Sequence, residues 1–247
     1  MRIAKLVLLG ILILCISGSP QDTKLTALQI LEKVDETVNA PKDKDAKIKL
    51  TIVDRKGRKE EREMIMLQKG SNKRLVKFTS PAEYKGIGFL SLPKEVMYLY
   101  LPAFGKTRRI ASHVKNTKFA GTDFTYEDME AKNYSESWVP EFLRMEENQY
   151  VLLLKPKPET KTQYSKMIMW VRSENFYPSK VELYDKGERL YKIVTMGKVE
   201  KVGNYWISKE LQMEDLKEGR KSIMETIEIK LDSNLSDELF TERYLMR

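Results

Sequence analysis

The stretch KIKLTIVDRKGRKEEREMIML (Lys47–Leu67) sets the fold class of this chain. From Ile48 to Ile52 every second residue is apolar, which is the pattern of a strand with one buried face. The segment Arg55–Arg58 contains a turn glycine, and Glu63–Leu67 follows as a second strand-like run. The stretch therefore predicts a β-hairpin.

Strand-like runs of the same kind continue along the chain, with short connections between them. They are Arg74–Thr79, Gly88–Leu92, Val96–Leu101, Thr107–Ala111, Gln149–Leu154, Lys166–Arg172, Ser179–Tyr184, Arg189–Val199, Tyr205–Glu214 and Ser222–Leu231. A meander of about a dozen antiparallel strands must curl into a barrel or half-barrel. Because no linker rich in Pro, Gly or Ser interrupts it, we expect residues 22–247 to form one domain.

One helix is predicted before the first strand. Thr26 and Gln29 have the spacing of a capping box, in which each side chain accepts from the other residue's backbone amide. An apolar stripe then follows helical spacing up to Val38, and Pro41 stops it. Such a stripe is stable only against another apolar surface, so we expect this helix to cover part of the sheet.

Several central strands are apolar on both faces, notably Val96–Leu101, Val151–Leu154 and Met167–Trp170. Such strands are either covered on both sides or offer a surface to an apolar ligand. Methionines recur in the strands, at Met64, Met66, Met97, Met167, Met169, Met196 and Met213. Methionine fills ordinary cores and also suits adaptable apolar cavities, so both interpretations stay open.

The N-terminus predicts a secretory signal peptide over residues 1–21. Arg2 and Lys5 precede the apolar run Leu6–Ile16, which is shorter than the roughly 20 residues of a membrane span. Small residues follow, and we expect a periplasmic mature protein. The large Leu14 disfavours a lipid anchor at Cys15, although a retained N-terminal anchor stays an alternative.

Composition excludes several kinds of chemistry. The 247 residues include one Cys and one His, so an intramolecular disulfide, a Cys-rich zinc site and a His-rich metal site are all excluded. A Ser-His-Asp mechanism would have to use His113, which lies in no recognisable catalytic motif. We predict no cofactor, no metal site and no enzyme activity. The net charge of +8 could attract nucleic acid, but export makes nucleic acid an unexpected partner.

Two charged segments have competing interpretations. Asp123, Glu127 and Asp128 could bind a metal ion, but Thr125 followed by acidic residues is more typical of a capped helical turn. Arg108 and Arg109 follow the apolar strand Val96–Leu101. They could contact an anionic head group or a partner, or form an ordinary solvated strand end.

Three stretches resemble the outer-membrane lipoprotein-sorting protein family, which is similar to the periplasmic carriers LolA and LolB. They are MYLYLPAFGKTRRIAS (Met97–Ser112), FAGTDFTYEDM (Phe119–Met129) and FTERYLMR (Phe240–Arg247). The resemblance implies a mainly β fold: an incomplete, strongly curved antiparallel β-barrel with a helical lid over an apolar cavity. It also implies a lid-locking arginine, for which Arg74, Arg108 and Arg109 are the candidates.

We therefore expect a non-enzymatic periplasmic carrier that moves acyl chains of lipoproteins or lipids towards the outer membrane. The implied partners are an inner-membrane transporter or an outer-membrane acceptor, with transient membrane contact. The predicted cavity residues are Met64, Met66, Leu90, Leu92, Met97, Leu99, Leu101, Leu152, Leu154, Met167 and Met169. The alternatives are a protein-interaction subunit of an envelope transporter or assembly machine, and a hydrolase that uses His113.

Overall fold

A computed structural model describes residues 25–247, so the predicted signal peptide and Cys15 lie outside the described residues. The three α-helices are α1 (Ala27–Asn39), α2 (Tyr134–Ser137) and α3 (Glu242–Leu245). The strands are β1 (Asp43–Val53), β2 (Lys59–Lys69), β3 (Lys73–Ser80), β4 (Gly88–Leu92), β5 (Val96–Leu101), β6 (Lys106–Arg109), β7 (Trp138–Glu146), β8 (Gln149–Pro156), β9 (Lys166–Arg172), β10 (Pro178–Tyr184), β11 (Leu190–Val202), β12 (Tyr205–Asp215) and β13 (Arg220–Leu231).

All these strands form one antiparallel sheet in the order β6-β5-β4-β3-β2-β1-β13-β12-β11-β10-β9-β8-β7. The two meanders meet where β1 pairs with β13, and β6 and β7 are free edges. Met97 near one edge and Leu152 near the other belong to the same hydrophobic cluster. The sheet must curl to bring them together, which confirms the predicted half-barrel that does not close.

The inner face of the sheet is covered by α1 and by residues 110–137, which together we call the lid. The predicted capping box is confirmed, since the Gln29 amide donates to Thr26 Oγ1 over 3.2 Å and the Thr26 amide donates to Gln29 Oε1 over 2.9 Å. Ile30, Leu31 and Val34 of α1 are fully buried against the inner face.

The second part of the lid is held by aromatic packing. The Phe119 ring centroid lies 5.6 Å from that of Phe78 and 5.7 Å from that of Phe89. The predicted helical turn at Thr125 is a turn and no helix, but its capping contacts are present. Thr125 N donates to Asp128 Oδ2 over 2.8 Å and Asp128 N donates to Thr125 Oγ1 over 3.2 Å.

The outer face of β2, β3 and β4 is covered by the C-terminal segment. Phe240 and Leu245 pack there on Leu67, Leu75 and Leu90 in a separate hydrophobic cluster. Strands near β4 are therefore apolar on both faces because the lid covers one side and the C-terminal segment covers the other. None of the helices between residues 25 and 247 has both the length and the apolar character required to cross a membrane.

The contact between the C-terminal segment and β4 requires a glycine. A Cβ added at Gly88 would lie 2.6 Å from Leu245 Cδ1, and Leu245 is fully buried. We predict that Gly88→Ala lowers the free energy of unfolding by about 1–3 kcal/mol, measured by urea denaturation.

The matched control is the same substitution in a Leu245→Ala background, where the obstructing carbon is absent. There Gly88→Ala should cost less, although Leu245→Ala itself should cost about 2–5 kcal/mol. Equal costs in both backgrounds would show that the overlap with Leu245 is not the cause.

Candidate functional site

A cavity of about 300 Å³ lies between the inner face of the sheet and the lid. This volume is at the lower end of the range of about 300–1,000 Å³ that is usual for small-molecule pockets. Its wall is mainly apolar and comes from both halves of the sheet. Representative wall residues are Met66, Val181, Met196, Leu211 and Ile229.

Strand register explains how these distant residues share one wall. Met66 is opposite Ala46, and Ala46 is opposite Ile229 on the next strand. Leu211 is in the same way opposite Met196. Because side chains alternate between faces, a row of directly opposed residues lies on one face of the sheet.

Two of the eleven predicted cavity residues, Met66 and Met167, line the cavity. Most of the others lie on the same inner face but pack into the core around the cavity. They are Met64, Met97, Leu99, Leu152, Leu154 and Met169. Leu101 continues the alternation of Met97 and Leu99 at the end of β5.

Leu90 and Leu92 were assigned to the wrong face. Leu90 is opposite Tyr98 and Leu92 is opposite Val96, whereas Met97 is opposite Ser91. The two leucines therefore point away from the side of Met97 and join the outer cluster with the C-terminal segment. A one-residue change of register transfers a whole strand's side chains to the opposite face, and apolarity alone could not fix this register.

One end of the cavity is polar. Lys44 on β1 is opposite Gln68 on β2, and Gln68 is opposite Arg74 on β3. All three side chains line the cavity, and we call them the polar row. Lys44 Nζ donates to the carbonyl oxygen of Val38 over 2.6 Å, and Arg74 Nη2 donates to Gln68 Oε1 over 2.7 Å.

The polar row also joins the sheet to both parts of the lid. Gln68 Nε2 donates to Asn39 Oδ1 over 3.1 Å, at the end of α1. Asn39 Nδ2 donates to Asn133 Oδ1 over 2.9 Å, and Arg74 Nη1 donates to the Met129 carbonyl over 3.1 Å. Among the three candidate lid-locking arginines, Arg74 is the one that makes these contacts.

Burial shifts the proton affinities of the polar row. Desolvation, with repulsion from Arg74, lowers the pKa of Lys44 from 10.5 to about 8. Desolvation also lowers the pKa of Arg74 to about 10, although Tyr134 and Glu130 partly oppose it. Burial raises the pKa of Tyr134, on the lid, to about 12. Lys44 and Arg74 are each half-buried, so two cations lie close together at this end of the cavity.

A second polar cluster joins the lid residue Asp128 to Tyr164, which precedes β9, and to Lys192 on β11. Asp128 Oδ1 accepts from the Tyr164 hydroxyl over 2.8 Å, and Asp128 Oδ2 accepts from Lys192 Nζ over 3.3 Å. Lys192 Nζ also donates to the Asp123 carbonyl over 2.8 Å and is fully buried. Glu127 lies beside this cluster, and burial raises its pKa.

The carboxylates of Asp123, Asp215 and Glu218 lie within 4.8 Å of one another, an arrangement that could ligate a cation. Lys118 Nζ lies 3.5 Å from Asp123 and 3.6 Å from Asp215, and it also contacts Glu218. Arg220 Nε lies 3.5 Å from Asp123. Lys118 and Arg220 thus lie among the three carboxylates and form an ion network with them.

Arg108 and Arg109 are exposed on β6, at the edge of the sheet. The Arg108 guanidinium lies 4.6 Å from the Phe104 ring centroid, and neither arginine lines the cavity. Sequence reasoning missed Lys44 and Gln68, which line the cavity. The available signal for Lys44 was a single polar residue among the inward positions of β1, which are otherwise apolar.

Comparison with known proteins identifies a family and solved structures that have the same fold. The model of a protein family described as "Uncharacterized protein" matches residues 70–247. No curated protein matches the chain. Similar solved structures include a Vibrio parahaemolyticus domain named for outer-membrane lipoprotein sorting, with a TM-score of 0.83, 24% identity and coverage of 90% of this chain and 98% of that chain.

Two further solved structures have the same fold. A DUF1329 family protein from Desulfovibrio piger has a TM-score of 0.83 and 25% identity, over 89% of this chain and 97% of that chain. A LolA superfamily protein from Nitrosomonas europaea has a TM-score of 0.75 and 24% identity, over 90% of this chain and 100% of that chain.

The lowered pKa of Lys44 predicts a pH-dependent stability. Between about pH 8 and pH 10.5 the unfolded chain binds more protons at this residue than the folded chain, so the free energy of unfolding should rise with pH. The variant Lys44→Met lacks this titration. Its stability relative to the wild type should therefore fall by about 1–3 kcal/mol from pH 7 to pH 10, in urea denaturation series.

The control is Lys47→Met, which removes an exposed lysine from the opposite face of the same strand. Glu228 raises the pKa of Lys47, so this variant should show no such fall over the same pH range. Parallel pH profiles for Lys44→Met and the wild type would contradict the assignment.

Proposed function

Since this chain belongs to the family whose model matches residues 70–247 and has the LolA-like lipoprotein-sorting fold, we propose that it is a non-enzymatic periplasmic carrier. In this proposal the cavity holds the acyl chains of lipoproteins or lipids and the protein moves them towards the outer membrane. The observation that supports it most is the apolar cavity between the inner face and a lid that a short set of hydrogen bonds fastens.

The energetics of such a carrier are favourable. Burying a methylene group yields about 0.8 kcal/mol, so a twelve-carbon chain yields roughly 9 kcal/mol before costs. Opening the lid breaks the Gln68–Asn39 and Arg74–Met129 hydrogen bonds, and each has a net value of about 0.5–1.5 kcal/mol. The apolar gain therefore exceeds the cost of releasing these two hydrogen bonds, and the remainder is available to offset the other lid contacts and the loss of chain entropy.

A second candidate is the protein-interaction subunit, which the edge strand β7 favours. Val139, Phe142, Leu143 and Met145 are 52%, 46%, 39% and 49% exposed, and they lie along one free edge of the sheet. Exposed apolar side chains in one place often mark contact surfaces. Pro140 and the bulge in β7 protect the edge against strand addition, so side-chain contact is the mode this edge suits.

The carrier proposal predicts that filling the cavity abolishes ligand uptake. Leu211 lines the cavity from β12, and Leu211→Trp would occupy much of its volume. We expect the affinity for 1-monododecanoyl glycerol, a neutral single-chain lipid, to fall at least about tenfold, measured by native mass spectrometry below the critical micelle concentration.

The matched control is Gln212→Trp, one residue along β12 on the opposite face. This variant should bind the lipid as the wild type does. A wild-type protein that takes up no lipid would favour the interaction subunit, and equal binding by Leu211→Trp would place the ligand outside this cavity.

The lid fastening predicts a change in dynamics. Gln68→Leu removes the acceptor of Arg74 and the donor to Asn39 while keeping a side chain of similar size. Amides of residues 129–134 and of the last turn of α1 should exchange hydrogen about fivefold to tenfold faster, because one or two hydrogen bonds no longer oppose local opening.

Hydrogen exchange followed by mass spectrometry would measure this change, with Gln212→Leu on the outer side of β12 as the control. Faster exchange spread evenly over the sheet would indicate general destabilisation. Unchanged exchange in residues 129–134 would show that Gln68 does not fasten the lid.

A further inference from the structure

The two cations of the polar row lack an anionic partner. Within residues 25–247, neither Lys44 nor Arg74 lies within ion-pair distance of a carboxylate, whereas Lys132, which also lines the cavity, pairs with Glu130 over 3.3 Å. Lys44 Nζ contacts a backbone carbonyl, and Arg74 contacts a carbonyl and an amide oxygen. Withdrawing two neighbouring positive charges partly from water without a counter-charge is unfavourable, and an anionic ligand would supply that counter-charge.

Unused hydrogen-bond donors lie at the same place. In the described part of the chain, Arg74 Nε and Ser91 Oγ are buried and have no hydrogen-bond partner. Ser91 is fully buried behind the cavity wall and is directly opposite Arg74 on β4. Buried polar atoms normally find partners, and unpaired ones next to a cavity point to a ligand atom.

The acids at this end of the cavity have partners of their own. Glu130 accepts from Lys132 over 3.3 Å, and Asp128 is bound by Lys192 and Tyr164. Glu127 accepts from the amide of Gln163 over 3.2 Å. Among the described residues, Lys44 and Arg74 are therefore the cations of the cavity wall that have no carboxylate partner, whereas Lys132 pairs with Glu130.

We propose that the polar row binds the phosphate-type head group of an anionic single-chain or acylated lipid whose chain occupies the apolar part of the cavity. Lys44 supplies the ammonium charge, and Arg74 supplies charge together with its unused Nε donor. Tetrahedral oxyanions accept several such charge-assisted hydrogen bonds at once. The inference rests on the proposed carrier function, since it assigns the chemical class of the cargo in the same cavity.

The test compares two ligands of equal chain length, dodecyl phosphate and 1-monododecanoyl glycerol, by native mass spectrometry and calorimetry below their critical micelle concentrations. We expect the wild type to bind dodecyl phosphate about tenfold or more tightly than the neutral lipid, as a charge-assisted hydrogen bond to a buried cation implies. Lys44→Met should remove most of this preference, so that its affinities for the two ligands differ by less than about threefold.

Two control variants separate the cavity from general surface charge. Lys47→Met makes the same change on the opposite face of β1 and should retain the preference. Lys44→Arg keeps the positive charge and should restore most of it. A preference that survives in Lys44→Met would overturn the assignment, because it would locate the anion elsewhere.

The remaining outcomes distinguish this inference from the carrier proposal. Equal binding of both ligands by the wild type would overturn the anionic head group and leave the carrier proposal standing. Binding of neither ligand would overturn both. Inorganic phosphate alone is the third probe, and if it bound as tightly as dodecyl phosphate, the polar row would be a site for the free ion and the lipid assignment would be wrong.

Discussion

The burial of one face of an open, curled sheet is the constraint on which the rest of this structure depends. A thirteen-stranded sheet whose edges β6 and β7 do not meet cannot bury its inner face by closing on itself. It must therefore be covered, and α1 with residues 110–137 provides that cover through Ile30, Leu31, Val34 and Phe119. These side chains fill only part of the space between the lid and the inner face. The space that they leave unfilled is the cavity, so the site arises from incomplete packing and needs no additional helix or strand.

The position of the polar row follows from the same constraint. Lys44, Gln68 and Arg74 lie where both lid segments contact the sheet, at Asn39 and Met129. Chain ends and loops bring backbone carbonyls that need donors, and buried cations need acceptors. The cations donate to these carbonyls, so each group partly satisfies the hydrogen-bonding needs of the other. The cost of desolvating the cations is therefore offset in part by the hydrogen bonds that hold the lid.

Local patterns predicted those elements whose signals lie within a few neighbouring residues. The hairpin of β1 and β2 followed from alternation, and the start of α1 followed from the spacing of Thr26 and Gln29. Strand β7 was missed because Pro140 interrupts the run, although a proline is typical of an edge strand. Lys44 and Arg74 were not linked because thirty residues separate them. They share one row because Lys44 is opposite Gln68 and Gln68 is opposite Arg74 in the strand pairing. Such pairing depends on contacts between residues that are far apart in the sequence.

The methionines show why residue type alone could not separate core from cavity. Met66, Met167, Met196, Met213 and Met224 line the cavity, whereas Met64, Met97 and Met169 fill the core on the same face. Met64 and Met66, two residues apart on β2, thus differ in role: Met64 packs in the core, whereas Met66 lines the cavity. Methionine packs well in either setting, since its unbranched side chain adapts to the space available. If the lid opens and closes, such methionines would alternate between packing in the core and lining the cavity. A wall of flexible apolar side chains can accept an acyl chain and repack after its release without leaving voids.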